Sequence, residues 1–129
     1  VTTPNSKNET GQELIEFAMV LPLLLLLLLG IMEFSLVIFS YVSVANAARE
    51  GARYGIIHPD DTTGIEGAAR VHTTGLDPTD LQIIVSRPTA DTVRVDVTYD
   101  YSLITAPIVQ AVGGDPDLPL HTVATMYIE

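Results

Sequence analysis

The chain has 129 residues, 47% of them hydrophobic, and a formal net charge of -10 at pH 7. That length holds one compact domain and one appended element. Carboxylates are spread over the second half and no Lys/Arg cluster exists, the wrong field for a nucleic-acid partner. The absence of cysteine excludes disulfides and thiolate metal sites.

The chain opens on Val1 rather than Met, which predicts that something precedes it. Residues 1–10 read as a polar N-terminal tail containing Pro4. Asn8-Glu9-Thr10 matches a glycosylation acceptor, a pattern short enough to arise by chance. Thr10-Gly11-Gln12-Glu13 fits a capping box, with the Thr10 hydroxyl accepting from the Glu13 amide and Glu13 reaching back. Glu13 and Glu16 also suit the positive end of a helix dipole. A long helix is therefore expected over residues 11–57, stopped by His58-Pro59-Asp60-Asp61. At ~1.5 Å per residue it would run roughly 70 Å, about twice what a bilayer needs.

From Phe17 to Met32 every residue is apolar, Pro or Gly, and after Glu33 the run resumes as far as Tyr41. About 20 such residues cross a ~30 Å hydrocarbon layer, whereas a signal-peptide core has only ~7–15. The pattern continues as helix past the apolar block, so an anchor is expected rather than a removed signal. Pro22 lies inside and is a candidate kink. The outer half carries a stripe spaced 4-3-4-3-4-3: Phe34, Ile38, Tyr41, Ala45, Ala48, Ala52 and Gly55. Its side chains shrink toward the C-terminal end, and Gly51 with Gly55 and Ala48 with Ala52 form small-xxx-small pairs that admit close backbones. One face of this half is expected to take the chain's own head and another to take neighbouring helices. Ala48→Leu or Gly51→Leu should then block assembly and spare membrane insertion.

Two carboxylates stand in apolar surroundings. Glu16 opens the run and Glu33 interrupts it, ~24 Å along the axis from Phe17. An ionisable group in a spanning helix is a functional candidate by default. Glu33 near the outer interface could instead reach headgroups. Arg49 and Arg53 lie ~24 and ~30 Å further along than Glu33, so a neighbour staggered by that much would pair opposite charges inside a bundle.

Gly11-Gln12-Glu13-Leu14-Ile15-Glu16-Phe17 resembles a prepilin-peptidase recognition site, Gly-x-x-x-x-Glu-Phe. Asn46-Ala47-Ala48-Arg49-Glu50-Gly51-Ala52-Arg53-Tyr54 resembles the stretch that follows the membrane helix in TadE-like proteins, pseudopilins of the tight-adherence (Tad) branch of type IV pilus systems. The resemblance spans roughly Gly11 to Gly55. It implies an inner-membrane precursor with a cytoplasmic N-terminus, cut by a prepilin peptidase between Gly11 and Gln12. It further implies Glu16 at the fifth mature position, pairing with a neighbour's new amine, and an assembly platform that stacks subunits into a filament at the cell surface. Such a cut would also remove Thr10 from the capping box.

Residues 58–129 read as a β-rich head. Ile65, Ala68, Ala69 and Val71 give a short helix within Thr62–Thr74, capped by Thr62 or Thr63 and ended by Gly75. Leu81, Ile83 and Val85 then alternate with polar neighbours, broken by Ile84. Val93, Val95, Val97, Tyr99 and Tyr101 alternate cleanly with Arg94, Asp96, Thr98 and Asp100. The loop Arg87–Asp91 joins these two strands as a hairpin, and a last strand is expected over Thr122–Ile128. Between them, Ser102–Leu120 reads as an insertion with a short apolar helix around Ile104–Val112. Three strands need a cover for their apolar face, and the outer half of the long helix is the obvious one. The expected class is α+β and pilin-like: a long N-terminal α-helix packed on a small antiparallel sheet of about three strands.

His58, His72 and His121 lack ligand spacing, and neither Asp60-Asp61 nor Asp115-Pro116-Asp117 supplies a calcium loop's six to eight oxygens. No nucleophile–base pair or phosphate loop is present, so neither an enzyme nor a cofactor is expected. The leading expectation is a polymerising structural subunit for surface attachment, a homo-oligomer that is membrane-held before assembly. A minor pseudopilin or assembly factor shares every motif. A single-pass anchored binding module would need an exposed aromatic patch or deep pocket in the head.

Overall fold

A computed structural model describes residues 6–128. The element order is α1 (Ser6–Ile57), α2 (Thr62–Val71), β1 (Leu81–Ser86), β2 (Thr92–Ser102), α3 (Ala106–Ala111) and β3 (Asp117–Tyr127). The molecule is α+β, one long helix carrying a three-stranded antiparallel sheet of order β1-β2-β3.

α1 begins at Ser6, ahead of the expected start. Thr10 is therefore inside the helix and does not cap it. Residues 6–10 contain no breaker, and extending an existing helix costs little per residue compared with nucleating one. The rest of the expected tail, residues 1–5, lies outside the described residues. Pro22 sits within α1 without ending it. The helix stops where His58 N–H closes the last turn on the Tyr54 carbonyl at 3.1 Å and Pro59 follows.

The cap of α2 is Asp61, one residue before the expected threonines. Its carboxylate accepts from Gly64 N–H at 2.9 Å and from the Tyr54 hydroxyl at 3.1 Å, tying α2 to the end of α1. α2 ends at Val71, and the chain turns through Gly75, whose φ of +92° favours glycine. β1 and β2 fall where alternation places them. β3 starts at Asp117 rather than Thr122, with Pro119 inside it opposite Asp100. β3 is an edge strand, where a missing backbone N–H is tolerated.

The register aligns three apolar rows on the inner face: Leu81–Tyr99–Leu120, Ile83–Val97–Thr122 and Val85–Val95–Ala124. Against them α1 sets Val44, Ala47, Ala48 and Ala52, and α2 adds Ile65 and Ala69, all fully buried. Small residues on α1 let the sheet approach its backbone. Val93, Val95 and Val97 are fully buried, each worth ~1.5–3 kcal/mol of transfer free energy. Ile84 points outward and is 59% exposed, so β1 keeps its alternation.

Candidate assembly helix and its head contact

α1 changes character at Glu33. From Gly11 to Met32 its side chains are exposed, Leu29 alone being half-buried. Leu14, Ile15, Phe17, Met19, Val20 and the Leu23–Leu28 block present apolar surface on all sides. This part is long and apolar enough to cross a membrane, and none of its most apolar window is buried in the fold. A helix apolar all round is stable only when lipid or other helices surround it.

Glu33 is 7% exposed and held by the chain's own head. Its Oε1 accepts from the Tyr101 hydroxyl at 2.9 Å and from Ile104 N–H at 3.0 Å, and its Oε2 accepts from Thr105 N–H at 2.8 Å. Thr105 is the N-cap of α3, so the carboxylate sits where a helix leaves its first amides unpaired. Burial, with the Glu33 carboxylate beside it, pushes the Tyr101 phenol up to about 12. Both oxygens of Glu33 thus find donors within one chain. The partners expected from sequence, a lipid headgroup or a neighbour's Arg49 or Arg53, lie outside the single chain.

Beyond Glu33 only one side of α1 is covered. The expected packing stripe divides in two. Phe34, Ile38 and Tyr41 are exposed, whereas Ala45, Ala48, Gly51, Ala52 and Gly55 are buried under the head. A Cβ on Gly51 would stand 3.1 Å from Ala69 Cβ, and one on Gly55 would stand 2.7 Å from Val93 Cγ1. The small-xxx-small pairs therefore admit α2 and β2, not a second long helix. Leu at Ala48 or Gly51 would strike this intrachain contact first, so it cannot probe neighbour packing as expected. The free face runs through Phe34, Ile38, Val42, Asn46, Arg49 and Arg53, apolar below and polar above. Arg53 lies 4.0 Å from Glu50 in the same helix; the Arg53 side chain is largely solvated and that of Glu50 half-buried.

At the other end, Glu16 is exposed and accepts from Gln12 Nε2 at 3.0 Å, one turn back. The Gly11–Gln12 bond lies inside α1, and nothing surrounds Gly11 within 4 Å of where a Cβ would be. Glycine within a helix costs ~1 kcal/mol against Ala.

His58 stacks on Tyr54 at 4.7 Å, and His121 lies 3.4 Å from Asp96. Among the described residues no three of His, Asp and Glu gather as a metal site. An open groove of about 340 Å³ runs between α1 and α2, lined by Arg53, Tyr54, Ile57, Val71 and His72 among others.

Sequence reasoning missed Tyr101, Ile104 and Thr105 as partners of Glu33. The readable signal was Tyr101 itself, an apolar-face residue with a polar tip at the end of its strand. Two of the three donors are backbone N–H groups, which leave no mark in a sequence.

Neither the curated proteins nor the solved structures contain a match to this chain. The model of the family described as TadE-like protein matches residues 11–53, the exposed shaft and most of the half that carries the head. The head proper lies beyond the matched residues, so the likeness rests on α1. Over that helix, whose apolar shaft, Glu33 and small-residue end are now placed, the chain is similar to TadE-like proteins.

Proposed function

We propose that this chain is a structural subunit of an extracellular pilus-like filament, held in the inner membrane by α1 before assembly and packed through α1 with copies of itself afterwards. The observation that carries this reading is the division of α1. Its shaft is apolar on all sides, and above Glu33 the face away from the head stays uncovered through Phe34, Ile38 and Val42. A bundle of such helices covers the shaft and the whole length of the free face together. The family match supports a place in a Tad pilus system.

On this reading a prepilin peptidase cuts between Gly11 and Gln12, and an assembly platform extracts the product. The new Gln12 ammonium of one subunit pairs with Glu16 of another in a water-poor core. Glu33 stays with its own head. Arg49 and Arg53, exposed on the free face, meet carboxylates of a neighbouring head. The acidic heads form the outer wall, with surface attachment as the purpose. A minor pseudopilin or assembly factor is the competing reading, and it differs in stoichiometry. Surface filaments sheared from cells decide between them by mass spectrometry of their main protein and its first residue. This chain as the main protein, starting at Gln12, is the expected result. Filaments lacking it, with the chain left in membranes, would establish the assembly-factor role.

A further inference from the structure

The connection between β2 and β3 has a composition unlike the rest of the head. From Tyr101 to Gly114, between Asp100 and Asp115, no residue is charged. α3 lies in this run and contributes no buried residue to the fold. Ile108 within α3, Ile104 two residues before it and Val112 at its C-cap are 46%, 50% and 82% exposed. A short surface helix that shows aliphatic side chains to water gains nothing from them in the isolated molecule.

Its position says what covers them. The run is pinned at its start to Glu33, through the Ile104 and Thr105 amides. Glu33 is where the exposed apolar shaft ends on the head side of α1. On the opposite side exposed apolar surface continues through Phe34, Ile38, Phe39, Tyr41 and Val42, ~13 Å further along the axis. A bilayer reaching even part of that band also reaches the level of Glu33 and the segment fastened to it. The run's far end is marked by charge. Asp117 accepts from Ser102 Oγ at 3.0 Å, and Asp115 accepts from Asp117 N–H at 3.1 Å, so the carboxylates gather at the neck.

We propose that Ile104, Ile108 and Val112 form a second membrane contact, lying in the interface of the leaflet from which α1 emerges. The inference rests on α1 spanning the membrane. The run is uncharged and starts at the level of Glu33, where the shaft ends, which selects lipid over a polar ligand. Apolar side chains that bind a membrane surface sit ~5–10 Å deep, at the headgroup–acyl boundary. With no basic residue in the run, binding needs no anionic lipid. The head is thereby held at two points, α1 and α3, and extraction into a filament must free both.

The lack of cysteine makes the test direct. Full-length chain with a single thiol, Ile108→Cys or Val112→Cys, is labelled with an environment-sensitive fluorophore in phosphatidylcholine vesicles. Lipids spin-labelled high on the acyl chain serve as quencher for 108 and 112, and lipids labelled near the chain end serve for Leu26→Cys. Leu26→Cys reports the shaft, and Ile84→Cys, on the sheet, reports solvent. Blue-shifted emission at 108 and 112, mostly lost to the quencher and unchanged by salt, is expected, with Ile84→Cys unaffected. Water-like, unquenched emission at 108 and 112 beside a quenched Leu26→Cys overturns the second contact and leaves the anchor standing. An unquenched Leu26→Cys overturns both. Blue-shifted emission that resists the lipid quencher and disappears on dilution into excess lipid assigns the face to another copy of the chain, and overturns the proposal.

Discussion

Glu33→Ala is the sharpest perturbation of the contact between head and helix. It removes the acceptor from three donors: the Tyr101 hydroxyl at 2.9 Å and the Ile104 and Thr105 amides at 3.0 and 2.8 Å. Tyr101 is 8% exposed, so its hydroxyl is stranded, and an unsatisfied buried group costs ~1–3 kcal/mol. Ile104 is half exposed and Thr105 half-buried, so water replaces part of what the carboxylate gave, leaving ~1 kcal/mol each. The sum is ~3–5 kcal/mol, the range found when one member of a buried charged network is deleted. Against a domain stability of ~5–15 kcal/mol that is a large fraction. Glu33→Gln keeps one acceptor oxygen but turns an NH₂ toward donors, and should lose less, ~1–2 kcal/mol. Urea unfolding of the full-length chain in micelles, with hydrogen exchange read over residues 101–112, measures both. The expected order is wild type, Gln, Ala, with protection at 104 and 105 lost first. An Ala variant with unchanged midpoint and protection would mean that water serves these donors as well as Glu33 does, and would refute the reasoning.

Gly55→Ala sets a new Cβ 2.7 Å from Val93 Cγ1 and 3.1 Å from Ile65 Cδ1. Overpacking of ~1–3 kcal/mol then outweighs a helix-propensity gain of ~1 kcal/mol, lowering the unfolding midpoint of the head. Gly67→Ala, in α2 with nothing within 4 Å, should gain up to ~1 kcal/mol in the same assay; equal effects would contradict the packing. Thr122 Oγ1 is buried with no partner among the described residues, so Thr122→Val should raise the midpoint by ~1 kcal/mol, and a loss would show that the hydroxyl is satisfied. The Arg94 guanidinium, bonded to Asp96 at 2.9 and 3.0 Å, holds that carboxyl below its ordinary range, with burial opposing and His121 assisting. A depressed folded value stabilises fully above the unfolded value of ~3.9 and is lost as pH falls through the folded one. Thermal midpoints should therefore fall more steeply on acidification in wild type than in Asp96→Asn, and parallel curves would remove Asp96 from acid stability.

The strands of the head were readable because alternation on a half-buried sheet is enforced at every second residue, as from Val93 to Tyr101. The end of α1 was readable because His58-Pro59 withholds the backbone donor a further turn needs. Its start was not, since Thr10 and Glu13 satisfy a capping pattern while the residues before them remain able to continue the helix. β3 was read short because Ser102–Leu120 reads as one insertion, and only the pairing with β2 shows that Asp117–His121 already belong to the sheet. The stripe from Phe34 to Gly55 was found in full, yet its division between head and free face was not. Heptad spacing states that a face is buried, and only the tertiary fold states against what. Glu33 was singled out for its place in an apolar run, while its partners in the fold came from a segment some seventy residues away.

The most direct test of a filament core made of α1 is the solvent access of its free face above the apolar band. Asn46 is exposed there, on the side away from the head. Asn46→Cys is treated with a membrane-impermeant maleimide in the membrane-held chain and in sheared filaments, with Ile84→Cys on the sheet as reference. Reaction of Asn46→Cys in membranes and protection in filaments, with Ile84→Cys reactive in both, is the result that helix-core packing predicts. Equal reactivity of Asn46→Cys in the two states would contradict it.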